Sequence, residues 1–251
     1  MIISEKREDG AILWLTLNAP KANVLTGSMI RALHGALDDE VDGDTKLIVF
    51  EGAGAHFSFG ASVAEHQRAQ APAMLESFHA LFRRLLELAV PTCAVVRGQC
   101  LGGGLELASY CTFLVATPDA RLGQPEIKLA VFPPMASILL PWRLGGGRAL
   151  DLCVSGRSLE ADEARRMGLV NEVTDDPAGW VLALFASALR PTSAVALRFA
   201  ERAARAELAR RMAEQLPALE RIYLDELMAT RDANEGIAAF LERRPPELRN
   251  A

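Results

Sequence analysis

The sequence has little that would mark it for a special environment. Its 251 residues include only four cysteines, Cys93, Cys100, Cys111 and Cys153. None of them forms a CxxC pair and three lie in apolar runs, which reads as reduced, buried thiols rather than a disulfide framework. An excess of positive charge is also missing: 27 Lys and Arg stand against 32 Asp and Glu, for a formal net charge of -5. A nucleic-acid partner would favour a basic footprint, so none is expected, although a local patch for a phosphorylated ligand stays compatible with that total. No uncharged apolar run reaches the roughly 18 residues that a membrane span needs. The opening Met1-Ile2-Ile3-Ser4-Glu5-Lys6-Arg7-Glu8 has no basic region followed by an apolar stretch, so no signal peptide is expected. No internal repeat or low-complexity linker interrupts the chain, no GxGxxG opens a helix after a strand, and the Asp, His and Cys spacing offers no metal site. With 50% apolar and 24% charged residues, the expectation is a soluble cytoplasmic protein able to bury a full core, organised as one large domain with at most a small appendage.

What is there reads as alternating strands and helices. Residues 11–17 form an apolar run closed by Asn18-Ala19-Pro20 and predict a strand. From Thr26 the pattern turns helical, with Met29, Leu33, Leu37 and Val41 on one stripe. Leu47-Ile48-Val49-Phe50 predicts a buried strand, and residues 55–66 are irregular. Met74, Phe78, Leu81, Phe82, Leu85 and Ala89 mark a second helix that Pro91 stops before a strand at Thr92–Val96. A glycine triplet, Gly102-Gly103-Gly104, follows, with a helix expected just after it and another strand at Phe113–Ala116. This alternation predicts a parallel α/β sheet. From about residue 177 there is no strand signal. Val195, Phe199, Leu208, Met212, Leu216, Leu219, Tyr223 and Leu227 fall on helical spacings, and Asp232 with Glu235 resembles a capping box. The expected division is an α/β core over 1–190 and a helical region over 191–251, whose apolar faces need a partner such as another subunit.

Two glycine-bearing segments, each after a buried strand, carry the chemistry: His56-Phe57-Ser58-Phe59-Gly60-Ala61-Ser62-Val63 and Gly102-Gly103-Gly104-Leu105-Glu106. Glycine allows a backbone to approach a ligand closely, and two free N–H groups aimed at one point form an oxyanion hole. Tight turns would explain either segment alone. Glu106 lies beside the glycines in apolar surroundings, where an ionised carboxylate is costly unless paired or hydrogen-bonded. It reads as a helix cap or as a general acid or base with a tuned pKa. Glu126, in Gly123-Gln124-Pro125-Glu126-Ile127, reads as a turn residue or as the partner carboxylate of a pair that flanks one water molecule. Glycoside hydrolases also use paired carboxylates but have no need of neighbouring glycine N–H groups.

Taken together, these segments resemble the crotonase, or enoyl-CoA hydratase/isomerase, superfamily over nearly the whole chain. Leu17–Asn23 looks like the family's early CoA-contact segment, Phe57–Val63 and Val96–Leu107 like its two oxyanion segments, and Leu122–Glu126 like its second glutamate motif. Ser155-Gly156-Arg157 with Ala164–Val170, and Glu235–Leu241, look like its later signatures. The resemblance implies a spiral of ββα units with a C-terminal helical region that trimerises, often into a dimer of trimers. It implies an acyl-CoA substrate with no separate cofactor, an oxyanion hole from the N–H groups of Ala61 and Gly103, and Glu106 and Glu126 as the catalytic pair. Double-bond isomerases of the family generally keep only the later glutamate, and binding-only members often lose both. CoA contacts are expected from Lys21, Ala22, Gly60, Ser62, Val63, Arg243 and Arg244. His66 is expected to be a supporting polar residue rather than a base.

Two departures stand out. Ser62 stands where the family commonly has Asp. Pro134 replaces a glycine whose N–H helps to hold the water in hydratases, and proline has no N–H. With Phe132 and Met135, Pro134 is expected to reshape the acyl pocket. Phe59–Val63 with Glu65-His66, and Arg97–Ser109, resemble the subgroup of cyclohexa-1,5-diene-1-carbonyl-CoA hydratases, which implies 1,4-addition of water to a cyclic dienoyl thioester. A general short-chain or alicyclic hydratase, a thioester isomerase and a noncatalytic acyl-CoA- or RNA-binding homologue are the alternatives.

Overall fold

The computed structural model describes residues 1–20 and 22–251. Four apolar runs become the middle of a six-stranded sheet: β2 (Ile12–Leu17), β3 (Leu47–Gly52), β4 (Thr92–Val96) and β6 (Phe113–Ala116). The sheet order is β1-β2-β3-β4-β6-β9, parallel except for the antiparallel edge strand β1 (Ile2–Arg7), with β9 at Glu172–Val173. Strands such as β2 and β3 are buried almost throughout because helices cover both sheet faces. β1 has no such run: Ser4, Glu5 and Lys6 are exposed, as suits a charged edge that resists pairing with another chain.

Each central strand is followed by a short extended segment that crosses into a second sheet. β4 leads to β5 (Gln99–Leu101) and β6 leads to β7 (Arg121–Gly123); β5 and β7 run parallel, and β8 (Ser158–Glu160) adds antiparallel to β7. After β3, Ser58 bridges Cys100 in the same direction. A helix closes each turn: α2 (Ala71–Leu88) after Ser58, α3 (Gly103–Tyr110) after β5, and α4 (Ala136–Leu144) after β7 and one 3₁₀ turn. These are turns of a ββα spiral, as expected. α3 begins at Gly103, so the second and third glycines of the triplet form its first turn instead of preceding it.

Other expectations need correction. In α1 (Gly27–Glu40) Thr26 caps the N-terminus by accepting from the Met29 N–H, and Met29, Leu33 and Leu37 are buried; Val41 is the extended residue that ends the helix. Asp232 and Glu235 form no capping box. The last helix, α10 (Arg231–Glu242), is capped by Thr230, which accepts from the Ala233 N–H at 3.2 Å. The Asp232 carboxylate instead accepts from the N–H groups of Arg249 and Asn250, at 2.8 and 2.7 Å, and Glu235 pairs with Arg244.

The C-terminal helices share the core. Leu208, Met212 and Leu216 join the main cluster under α1–α4, and Val181, Phe185 and Leu189 cover the opposite sheet face. A third cluster joins Tyr223, Met228, Ala233 and Ile237 to Ala71, Met74, Leu75 and Val131. All four cysteines are free, three of them buried. Among the described residues no single helix is long and apolar enough to cross a membrane.

Candidate active site

The site lies where the spiral's turns meet. The segment after β3 is zipped onto β5: the Ser58 N–H donates to the Gln99 carbonyl at 3.1 Å, and the Leu101 N–H to the Ser58 carbonyl at 2.9 Å. Ser58 Oγ donates to the Asn23 carbonyl and accepts from the Gly60 N–H, fixing the bend. Gly60 sits at φ +96°, and a Cβ there would lie 2.8 Å from the Leu101 carbonyl oxygen and 3.2 Å from the Gly103 nitrogen. A Cβ on Gly103 would lie 3.1 Å from the Ala61 nitrogen. The two glycines therefore let two backbone amides converge. The N–H groups of Ala61 and Gly103 donate to no acceptor among the described residues.

Both glutamates stand beside these amides. Glu106 is in the first turn of α3 and is 5% exposed. Its Oε1 accepts from the Ala136 N–H at 2.7 Å, at the N-terminus of α4, and the Met135 N–H also faces the carboxylate. Two helix N-termini thus favour negative charge on Glu106. Glu126 follows Pro125 in the 3₁₀ turn after β7. Its carboxylate packs on Gly102, where a Cβ would lie 2.5 Å from Oε1. With its amide turned so that nitrogen faces Glu126, Gln124 donates to both carboxylate oxygens at 3.0 Å. Burial pushes both glutamates well above the ordinary carboxylate range; the Glu106 charge raises Glu126 further, whereas the amides facing Glu106 work against its shift. Such a pair cannot readily carry two charges, so one negative charge and one proton are shared between them.

Glu106, Glu126, Ala61 and Gly103 line one small cavity of about 20 Å³ with His66, His79, Phe132, Pro133, Pro134 and Tyr223. That is room for one water molecule. Outside it a cleft of about 620 Å³ runs past Ala22, Gly60, Ala61, Val63, Glu126 and Lys128 to Phe240 and Arg244.

The structure thus brings together the four residues assigned to catalysis. It places Ala22, Gly60, Val63 and Arg244 on the cleft and Phe132 and Pro134 on the cavity. Lys21 lies outside the described residues. Ser62 does not line the cleft; its carbonyl accepts from the Glu65 N–H at 3.0 Å and meets His66 Nδ1 at 2.8 Å, so it builds the turn. Arg243 is the exposed left-handed residue ending α10, where its backbone rather than its charge is used. Met135 is fully buried in the core and meets the site through its N–H alone. Arg244 is neutralised by Glu235 and Glu242. Sequence reasoning missed Lys128, which makes no ion pair among the described residues, and also His79 and Tyr223. His66 is held by the Ser62 carbonyl, and burial lowers its pKa, so it is neutral at pH 7.

Comparison with known proteins fits this arrangement. The Enoyl-CoA hydratase/isomerase family profile matches residues 7–251. The cyclohexa-1,5-dienecarbonyl-CoA hydratase of Thauera aromatica is 46% identical, covering 96% of this chain and 94% of that protein. A probable enoyl-CoA hydratase of Mycobacterium tuberculosis is 38% identical, with 93% of each chain covered. Among solved structures, an enoyl-CoA hydratase from Mycobacterium avium superposes with a TM-score of 0.87 at 26% identity, covering 98% of this chain and 97% of that one. An enoyl-CoA hydratase/isomerase from Xanthobacter autotrophicus Py2 gives 0.81 at 28% identity, covering 96% and 91%. The chain is an enzyme and belongs to the enoyl-CoA hydratase/isomerase family.

Proposed function

We propose that this hydratase adds water to a cyclic conjugated dienoyl thioester, converting cyclohexa-1,5-diene-1-carbonyl-CoA to 6-hydroxycyclohex-1-ene-1-carbonyl-CoA. The observation that carries the reading is a buried and a half-buried carboxylate, Glu106 and Glu126, on one water-sized cavity, beside two unengaged backbone N–H groups. The cyclic acyl group is supported by the likeness to the Thauera aromatica hydratase and by the bulk of Phe132 and Pro134 at the cavity wall.

The thioester oxygen would sit against the N–H groups of Ala61 and Gly103. Glu106, favoured as the ionised partner by the α4 N-terminus, takes a proton from water as the water oxygen bonds to the β-carbon. The electron pair of the double bond moves to the thioester oxygen, giving an enolate extended by the second ring double bond. Glu126, favoured as the protonated partner, delivers its proton to the ring carbon two bonds beyond the α-carbon, and a double bond closes between the α-carbon and its neighbour. The proton gained by Glu106 then returns to Glu126, directly or through solvent, and restores the starting state. An oxyanion donor contributes about 3 kcal/mol to such a step, and acid–base help about 10²–10⁴-fold in rate. The CoA portion would follow the large cleft, with Lys128 as a cation for its phosphates. The exposed apolar residues of the C-terminal helices would pack in a homotrimer or dimer of trimers.

The test is product analysis in labelled water. In H₂¹⁸O the account expects one labelled oxygen per product, and in D₂O one deuterium at the ring carbon remote from the thioester. Double-bond migration without ¹⁸O would identify an isomerase instead. Deuterium at the α-carbon would contradict the 1,4-addition.

A further inference from the structure

Four buried side-chain polar atoms have no hydrogen-bond partner among the described residues: His79 Nε2, Ser109 Oγ, Arg205 Nη1 and Tyr223 Oη. Two of these residues, His79 and Tyr223, line the water-sized cavity that holds both glutamates. His79 is 0% exposed and Tyr223 is 1% exposed. A buried polar atom without a partner costs about 1–3 kcal/mol, so two at one cavity point to a ligand that satisfies them.

The local structure fixes what each atom offers. Tyr223 lies in a π turn, Ile222–Glu226, that interrupts the helical run. Such turns occur frequently at functional sites, because the extra residue re-aims a side chain. Phe132 holds the ring edge-to-face at 5.5 Å. Burial and the negative charge of the nearby Glu126–Glu106 pair raise the phenol further above its ordinary range, so it stays a neutral O–H. His79 Nδ1 lies 2.6 Å from Glu220 Oε1. This bond holds the Glu220 carboxyl below its usual range, and an ionised carboxylate can only accept. Nδ1 therefore carries the hydrogen, and Nε2 is the ring nitrogen left without a partner among the described residues. Pro134, on the same cavity wall, offers no N–H.

We propose that Tyr223 Oη and His79 Nε2 hold the reacting water. Water has two hydrogens and two lone pairs, and the site has a use for all four. Glu106 accepts the hydrogen that will be removed, and His79 Nε2 accepts the one that stays on the product hydroxyl. The Tyr223 hydroxyl donates to one lone pair, and the other attacks the β-carbon. Tyr223 and His79 thus do the work that a backbone N–H at position 134 cannot do. The proposal rests on the hydratase reading but not on the identity of the acyl group.

The test is the Tyr223→Phe variant of the full chain, assayed with crotonyl-CoA and with cyclohexa-1,5-diene-1-carbonyl-CoA. On whichever substrate the wild type hydrates, kcat should fall on the order of 10²-fold, with KM within about threefold by the same argument, since the lost contact is to water and not to the thioester. The melting temperature should stay level or rise, because the variant loses a buried hydroxyl with no protein partner. A kcat within about twofold of wild type would overturn the assignment. Should the variant fold poorly, a crystal structure of the wild type decides: an ordered water within about 3.2 Å of both Tyr223 Oη and His79 Nε2 is expected, and a cavity without one overturns the proposal. A wild type that hydrates neither thioester would instead sink the hydratase reading.

Discussion

At the scale of single residues, the account turns on carboxylates kept where they are least comfortable. Glu106 and Glu126 are both raised by burial from the ordinary 4.5. A carboxyl with a raised folded-state pKa binds its proton more tightly when folded than when unfolded. Its contribution to stability is fully present below about pH 4.5 and is lost as pH rises toward the folded-state value. Glu106→Gln keeps an oxygen for the Ala136 N–H but removes the charge. Thermal melting of this variant should therefore give a higher midpoint than wild type at pH 8, by a few degrees for about 1 kcal/mol, and a shrinking difference toward pH 4.5. Its hydration rate should fall about 10²–10⁴-fold, and Glu126→Gln should behave alike in both respects. Full activity in either variant would remove the two-glutamate mechanism. The glutamates and their glycines were legible in the sequence because a carboxylate beside a glycine triplet needs an explanation. His79 and Tyr223 were not, because each sits in an apolar helical stripe and reads as packing.

At the scale of elements, legibility followed length. The central strands were readable as uninterrupted apolar runs. β5, β7 and β8, at three residues each, are too short for any periodicity, yet they carry the turns that aim Gly102, Gly103 and Glu126. The π turn also shifted a register. The spacing from Tyr223 predicts Leu227 on the buried face, but one extra residue in the turn buries Met228 and leaves Leu227 half-exposed. At the start of α10 the acidic pair drew attention from the true cap. Thr230→Ala should lower stability by about 1 kcal/mol, read as a drop of about 2–4 °C in the melting temperature. An equal or larger loss in Glu235→Ala with none in Thr230→Ala would restore the capping-box reading.

At the scale of the whole molecule, the helical region divides into an inward and an outward part. Leu208, Met212 and Leu216 complete the core, whereas Val195 and Phe199, on the same predicted stripe, are 61% and 63% exposed, as are Leu150 and Val154 at 65% and 63%. Large apolar side chains left out in this way favour association between copies. Light scattering should give a mass three or six times 27.1 kDa; a monomer that remains fully active would contradict the trimer. The same fold is shared with relatives named for a cyclic dienoyl-CoA and for enoyl-CoA in general, so the choice of acyl group lies with the side chains at the cavity. The most direct measurement is therefore kcat/KM of the purified protein for cyclohexa-1,5-diene-1-carbonyl-CoA against crotonyl-CoA. The account predicts a preference for the cyclic dienoyl thioester of at least about 10²-fold, the scale at which shape-matched pockets discriminate; faster hydration of crotonyl-CoA would contradict it.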